Sequence, residues 1–385
     1  MLCAAIVGLE VLRPFGWFRL VSFLLLFFLL ADLASLLRGR WRDLMLVATS
    51  LALGVSLVEV AGLYISASHP TVTATPKLTG RQPVMGWGPI SPGKFHVKKT
   101  YAWTGKTIYD VVYTINSHLL RETKSCDTCA TIAFFGDSFT FGEGLNDADT
   151  LPQIFANDID RKMRIVNLGY SAYGPQQFLR EEQTGRFDKV IRPHPKLFVF
   201  LTAPWHAQRT GCKAEWVMLA PRYILKDGKL VHAGSCLDGS SPLWPWAEHS
   251  AAYRAFIEPF FEKTNHQDIE LYIRILLAAT KLAHEKYGAP TVILFMNAYN
   301  AYLSGTGFTN DEIVKRLRDG GAIVVDASLT KEEALPGMKA KLHIVGDGHP
   351  TGLANQFRAA ILKHYIETNF ASILPPPLRQ SSKLQ

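Results

Sequence analysis

Two nearly unbroken apolar runs, Leu20 to Leu37 and Leu44 to Ala67, dominate the first 67 residues. Each is long enough to span a bilayer, because about 20 helical residues at 1.5 Å each cover a hydrocarbon core of ~30 Å. Between them stand Arg38, Arg40 and Arg42, which the positive-inside tendency holds on the cytoplasmic face against the competing Arg13 and Arg19. The pattern predicts a retained transmembrane hairpin over 1–67 and places everything after about Ser68 outside the cytoplasm, in the periplasm of a Gram-negative cell. A cleaved signal peptide fits less well, since two apolar runs flank a basic tip and no clear small-x-small site follows the first. Asp32, six residues before Arg38, reads as interfacial; Glu59 is deeper and reads equally as interfacial or as facing a partner helix or functional site.

Residues 68–104, rich in Pro, Gly, Ser and Thr at their start, read as a linker and domain entry with order beginning near Phe95, and Thr107 to Asn116 alternates as a strand of an accessory layer. From Thr131 short apolar runs recur: Thr131 to Phe135, Arg164 to Leu168, Lys196 to Leu201, Thr291 to Met296 and Ala322 to Asp326. Helical stretches alternate with them, at Thr150 to Arg161, Gln176 to Gln183, His266 to Lys286, Asp311 to Asp319 and Thr351 to Thr368. Continuous apolar strands separated by helices predict a mostly parallel sheet buried on both faces, so 105–370 is expected to be a three-layer α/β/α domain of five strands. The rhythm breaks over 204–265, where Trp205, Trp216, Trp244, Trp246, Tyr253, Phe256, Phe260 and Phe261 crowd together. That insertion reads either as a lid or substrate platform at the carboxyl edge of the sheet or as a small core of its own. Residues 371–385 form a C-terminal tail.

With 48% hydrophobic and 19% charged residues, the chain is too apolar for general disorder. Its net charge of +8 is scattered and not gathered into basic runs with interleaved aromatics, so no nucleic-acid partner is expected. Beyond Cys3 stand Cys126, Cys129, Cys212 and Cys236, an even number that suits an oxidising compartment. Proximity suggests Cys126 with Cys129 and Cys212 with Cys236, although four cysteines allow three connectivities. A zinc site is the weaker reading because the second pair is not closely spaced.

Chemistry concentrates at Gly136-Asp137-Ser138-Phe139-Thr140-Phe141-Gly142-Glu143-Gly144, directly after the first core strand. A serine on a tight turn there is exposed at the edge where ligands bind, and its own N–H can face a developing oxyanion. Serine needs a base, and His349 in Asp347-Gly348-His349-Pro350 is the candidate, with Asp347 to orient it. An alternative assignment of Asp137 as a phosphotransferase nucleophile fails because Phe139 stands where a second aspartate is needed. No phosphate loop, dinucleotide fingerprint or HExxH site occurs, and His343 has no second ligand nearby, so neither cofactor nor metal is expected.

Taken together, these residues resemble the SGNH hydrolases, or GDSL-type esterases and lipases, over about residues 105 to 370. Tyr113 to Ser117 with Leu120-Arg121 look like the lead-in of membrane-attached members. The resemblance implies a flavodoxin-like sheet and a Ser138–His349–Asp347 triad, with Asp137 and Asn167 in support. The second block, Val166 to Gly174, implies an oxyanion donor at Ala172, which can serve if its φ is negative, or at Gly169. The third block departs: Leu201 to Arg209 lacks the family's Asn-Asp pair, leaving His206 as a candidate replacement donor or an ordinary loop histidine. The aspartate usually three residues before the histidine is here Gly346, so Asp347 takes that role.

The reading is a serine-dependent ester hydrolase or O-acyltransferase held in the inner membrane, acting on an acylated carbohydrate or another envelope ester. A transferase would take its acyl group from a separate membrane protein. Two alternatives stay open: a lipase or lysophospholipase, and a catalytically inactive polysaccharide-binding module.

Overall fold

The computed structural model of the chain describes residues 1–13, 16–192, 194–242 and 244–374. The tail expected over 371–385 lies outside the described residues from 375 onward, as does the Trp246 side chain. The chain divides into two compact units, one comprising Met1–Pro70, Tyr101–Gly105 and Ser240–Lys263 and the other comprising the rest.

In the first unit three helices follow one another: α1 (Leu2–Leu12), α2 (Phe18–Leu36) and α3 (Arg40–Ala67). Of these, α2 and α3 are long and apolar enough to cross a membrane. At 19 and 28 residues they run about 28 and 42 Å. The basic tip is shorter than the sequence pattern implied, since α3 begins at Arg40 and the turn is left to Leu37, Arg38 and Gly39. Gly39 supports it with φ +60°. Helix α1 was not anticipated; its Glu10 accepts an ion pair at 2.7 Å from Arg19, which is buried on α2.

The second unit is built on five parallel strands, β1 (Thr131–Phe135), β2 (Arg164–Asn167), β3 (Pro195–Thr202), β4 (Thr291–Phe295) and β5 (Ile323–Asp326). Their spatial order is β2-β1-β3-β4-β5, the flavodoxin-like arrangement, with every pairing parallel. Alternate residues serve opposite faces. Ile132 and Phe134 of β1 and Val292 and Leu294 of β4 pack one way, against Leu151 and Phe155 of α5 (Leu151–Asp158) and Leu362 and Ile366 of α10 (Gly352–Asn369). Phe135, Phe200 and Ile293 pack the other way, against α6 (Pro175–Thr184), α8 (His266–Tyr287) and α9 (Asn310–Asp319). This double burial is why the strands read as continuous apolar runs. Local signals set the helix ends: Asn265 and Thr309 cap α8 and α9 with reciprocal bonds from Asp268 and Glu312, and Gly288 closes α8 in the left-handed region.

Two parts of the sequence reading need correction. The supposed linker is largely strand: Thr71–Thr75 pairs with Gly93–Thr100, which pairs with Thr107–Ile115, and Thr79–Gln82 with Gly86–Pro89 forms a hairpin. Its outward Thr, Lys and Gly residues masked the period, while Leu78, Met85, Trp87, Phe95 and Val97 are buried. The aromatic insertion is neither one lid nor one core, because its first part stays in the second unit as the hairpin Pro221–Lys226 and Lys229–Ser235, whereas Ser240–Lys263 joins the N-terminal helices. Cysteine pairs form at Cys126–Cys129 and Cys212–Cys236.

Candidate active site

Strand β1 delivers Ser138 through a turn that only glycine accommodates at its second position. Gly136 has φ +149°, and a Cβ there would lie 2.2 Å from Thr140 Oγ1. Asp137 then caps the single turn α4 (Ser138–Phe141), its Oδ1 accepting the Phe139 N–H at 2.9 Å, so Ser138 opens that turn. From the other end of the chain, the loop before α10 brings His349 alongside. Its Nε2 lies 2.8 Å from Ser138 Oγ, and its Nδ1 lies 2.5 Å from Asp347 Oδ2. The second Asp347 oxygen receives the Lys99 ammonium. Serine, imidazole and carboxylate therefore form one continuous hydrogen-bonded line.

Burial opposes charge on Asp347, but the bonds from His349 and Lys99 prevail and hold its carboxyl down at about 2. Burial likewise disfavours the His349 imidazolium, yet the Asp347 bond and the Glu143 charge outweigh it and leave His349 above the ordinary histidine value. Glu143 Oε2 accepts from Ser171 Oγ at 2.6 Å and lies 3.9 Å from His349 Nε2. Since only neutral imidazole can take the serine proton, kcat/KM is expected to rise with pH through an apparent pKa above ~6.5. Removing the raising charge with Glu143→Gln should move that limb to lower pH. A full pH–rate profile of both proteins checks this, and an unmoved limb would detach Glu143 from the base.

The expected oxyanion donors do not all converge. Ser138 stands at the first position of α4. Gly169, however, gives its N–H to Asn167 Oδ1 at 3.1 Å, while Asn167 Nδ2 donates to Thr140 O at 3.0 Å. Asn167 and Gly169 thus brace the α4 turn. Ala172 has φ +67°, so the negative φ required of it as a glycine replacement is not met.

His206, the candidate replacement donor, has both ring nitrogens engaged elsewhere. It opens α7 (His206–Thr210), is fully buried, and puts Nε2 3.0 Å from Asp137 Oδ2 and Nδ1 3.0 Å from Thr202 Oγ1, which also meets Tyr272 Oη at 3.0 Å. Burial and the nearby Arg209 push its pKa down to about 4, so the ring is neutral. Beside a carboxylate the single N–H belongs on Nε2 and donates to Asp137, leaving Nδ1 to accept from Thr202. Arg209 Nη1 completes the cluster at 3.0 Å from the same Asp137 oxygen. Against the cost of burial, Arg209 and His206 keep Asp137 ionised, well below the usual carboxylate range. The physical reason for the correction is charge: a buried anion captures the only N–H that His206 has.

Sequence reasoning missed Lys99, Glu143 and Arg209. Arg209 had a readable signal, since it sits three residues after His206 and shares its helix face. Lys99 had none, because its strand belongs to the antiparallel layer. Next to the triad opens a cavity of about 990 Å³, whose lining includes Phe139, Trp205, Asn297, Tyr299, Ser328 and Arg358.

No known protein family matches the chain by sequence, and no curated protein does. Solved structures are similar. A member of the lipolytic G-D-S-L family from Veillonella parvula aligns at 14% identity and TM-score 0.36, covering 61% of this chain and 97% of its own. The psychrotrophic esterase of a Pseudoalteromonas species aligns at 13% identity and TM-score 0.36, covering 62% and 97%. An acetyl-xylooligosaccharide esterase variant from Geobacillus aligns at 12% identity and TM-score 0.37, covering 63% and 96%. Each is a likeness at low identity and low TM-score; what the structure itself shows is the flavodoxin-like strand order of the five parallel strands described above.

Proposed function

We propose that the protein is a membrane-anchored serine esterase that works through an acyl-enzyme and acts outside the cytoplasm on acylated carbohydrate or another cell-envelope ester. The observation that carries this reading is the unbroken line Ser138–His349–Asp347. His349 takes the Ser138 proton as the hydroxyl attacks the ester carbonyl, then returns it to the leaving alcohol. Asp347, steadied by Lys99, fixes the tautomer and stabilises the imidazolium. The N–H of Ser138 faces the oxyanion. Water releases the acyl group; if a sugar hydroxyl does so instead, the same apparatus is an O-acyltransferase, supplied by a separate membrane donor. No cofactor enters these steps.

Anchoring by α2 and α3 is supported by their length and composition, an arginine tip on the inside by the positive-inside tendency, and the paired cysteines suit the outer compartment. The saccharide preference is supported by the cavity that Phe139, next to Ser138, helps to line, whose wall includes the aromatic residues Trp205 and Tyr299 together with the polar Asn297, Asn310 and Ser328.

The test is labelling of the full chain with a fluorophosphonate, together with hydrolysis of short and long p-nitrophenyl esters by wild type and Ser138→Ala. Labelling and turnover that vanish with Ser138→Ala are expected, with preference for the short ester. Long-ester preference would shift the substrate to lipid, and a folded wild type that neither labels nor turns over would leave a polysaccharide-binding module.

A further inference from the structure

Within the first unit the second half of the insertion is fastened to α3 at a residue that the hydropathy pattern left unexplained. Glu59 is buried, and its carboxylate accepts hydrogen bonds from Ser250 Oγ at 2.7 Å, Ala251 N at 2.8 Å and Ala252 N at 3.0 Å. These donors lie at the start of a helical stretch, Tyr253–Ile257 continuing through Glu258–Phe261, so Glu59 supplies its amino-terminal cap from another part of the chain. Three residues along α3, Gly62 lets the backbones touch: a Cβ there would lie 2.4 Å from the carbonyl carbon and oxygen of Ala251. His249 meets the Arg13 side chain and stands edge-on to the Phe18 ring at 5.7 Å, at the start of α2.

These contacts set a depth. Counting about 20 residues from Leu44, just past the arginine tip, puts the outer boundary of a ~30 Å hydrocarbon core near Tyr64. The Tyr64 ring packs on Trp103 at 5.2 Å, a pairing suited to the interface. Glu59 is five residues before Tyr64, about 8 Å deeper, and the hydrogen bonds hold Ser250–Ala252 at that level. The helical stretch that follows carries Phe256, Ile257, Phe260 and Phe261 on one side, all solvent-exposed in the isolated chain, with Phe260 and Phe261 at 71% and 63%. In water such a stripe is costly; at a depth of 5–10 Å below the headgroups it is the face of an interfacial helix.

We infer that Ser240–Lys263 is a membrane-embedded segment lying in the outer leaflet, held there by Glu59 and Gly62 and covered by lipid acyl chains at Phe256, Ile257, Phe260 and Phe261. The inference rests on the reading of α2 and α3 as membrane spans. It gives the buried Glu59 a definite role and a lipid contact to residues that the sequence pattern read either as a lid at the catalytic edge or as a core of their own.

The test uses the full chain with Cys3→Ser, the four other cysteines being paired. Single cysteines replace Leu26 on α2, Phe260, and Lys281 on α8 as the aqueous control. Each is labelled with an NBD fluorophore and reconstituted into phosphatidylcholine nanodiscs with or without acyl-chain doxyl lipid. Quenching at Leu26→Cys and Phe260→Cys with none at Lys281→Cys is expected, and adding Gly62→Val should abolish quenching at 260 while sparing 26. If position 26 is quenched and 260 behaves like 281, the embedded segment is wrong and the spans stand. If position 26 is unquenched, the spans and the inference fall together.

Discussion

Asp347→Asn is expected to lower kcat by about 10⁴-fold, the loss that follows when a triad carboxylate becomes an amide. The Asp347 side chain is fully buried between two donors, His349 Nδ1 and Lys99 Nζ, so the change removes more than one contact. An amide presents a donor to Nδ1, which favours the wrong imidazole tautomer. It also leaves the Lys99 ammonium without its anion, close to where the imidazolium charge must form. Lys99→Met is the informative companion: it keeps the His349–Asp347 bond, so a smaller loss is expected. Single-turnover measurements on both variants, with circular dichroism to show that they fold, check this. Asp347→Asn turning over near the wild-type rate would mean that another group orients His349.

Asp137→Ala is expected to destabilise the second unit by about 3–5 kcal/mol, the usual penalty for breaking a buried ion pair. His206 and Arg209 would lose their shared acceptor in a site almost closed to water, and α4 would lose its cap. For a unit of this size the Tm should fall by roughly 5–9 °C. Arg209→Met alone should also destabilise. The double variant should cost less than the sum of the singles, since removing both charges together spares each the uncompensated burial of the other. Thermal unfolding of the four proteins measures the coupling, and strict additivity would show that the cluster is not a charge pair. Because Asp137 precedes the nucleophile directly, both singles should also lower turnover through misplacement of Ser138.

Much of the architecture was legible because each element carries its own periodic signature. The five strands are buried on both faces and each registers as an apolar run, with ends that agree with the structure to within one residue or so. Helices α8 and α9 announce themselves by Asn265 and Thr309 with acidic partners three residues on. The strands before Lys106 were not legible, because threonines, lysines and glycines on their open face hide the alternation of Leu78, Trp87, Phe95 and Val97. In the candidate site, Ser138, His349 and Asp347, which the structure joins by hydrogen bonds, stood out by residue type and position. His206 became a candidate oxyanion donor because the resemblance leaves the family's amide donor without a counterpart, and the sequence does not show that Asp137 is buried beside it.

The sequence by itself determined the order of the five parallel strands and the main helices between them, the apolar hairpin and the placing of Ser138 and His349 on turns at one edge of a parallel sheet. These follow from local rules: burial imposes a period, turns demand glycine, and parallel strands open at a common edge. Only the tertiary structure decided where the polar groups spend their hydrogen bonds. Lys99 reaches Asp347 across 248 positions, Asp137 takes the N–H of His206, and Glu59 caps a helix that begins nearly 200 residues later. Such pairings leave no periodic trace, because a buried charge selects whichever partner the packed chain brings within about 3 Å, wherever that partner lies along it.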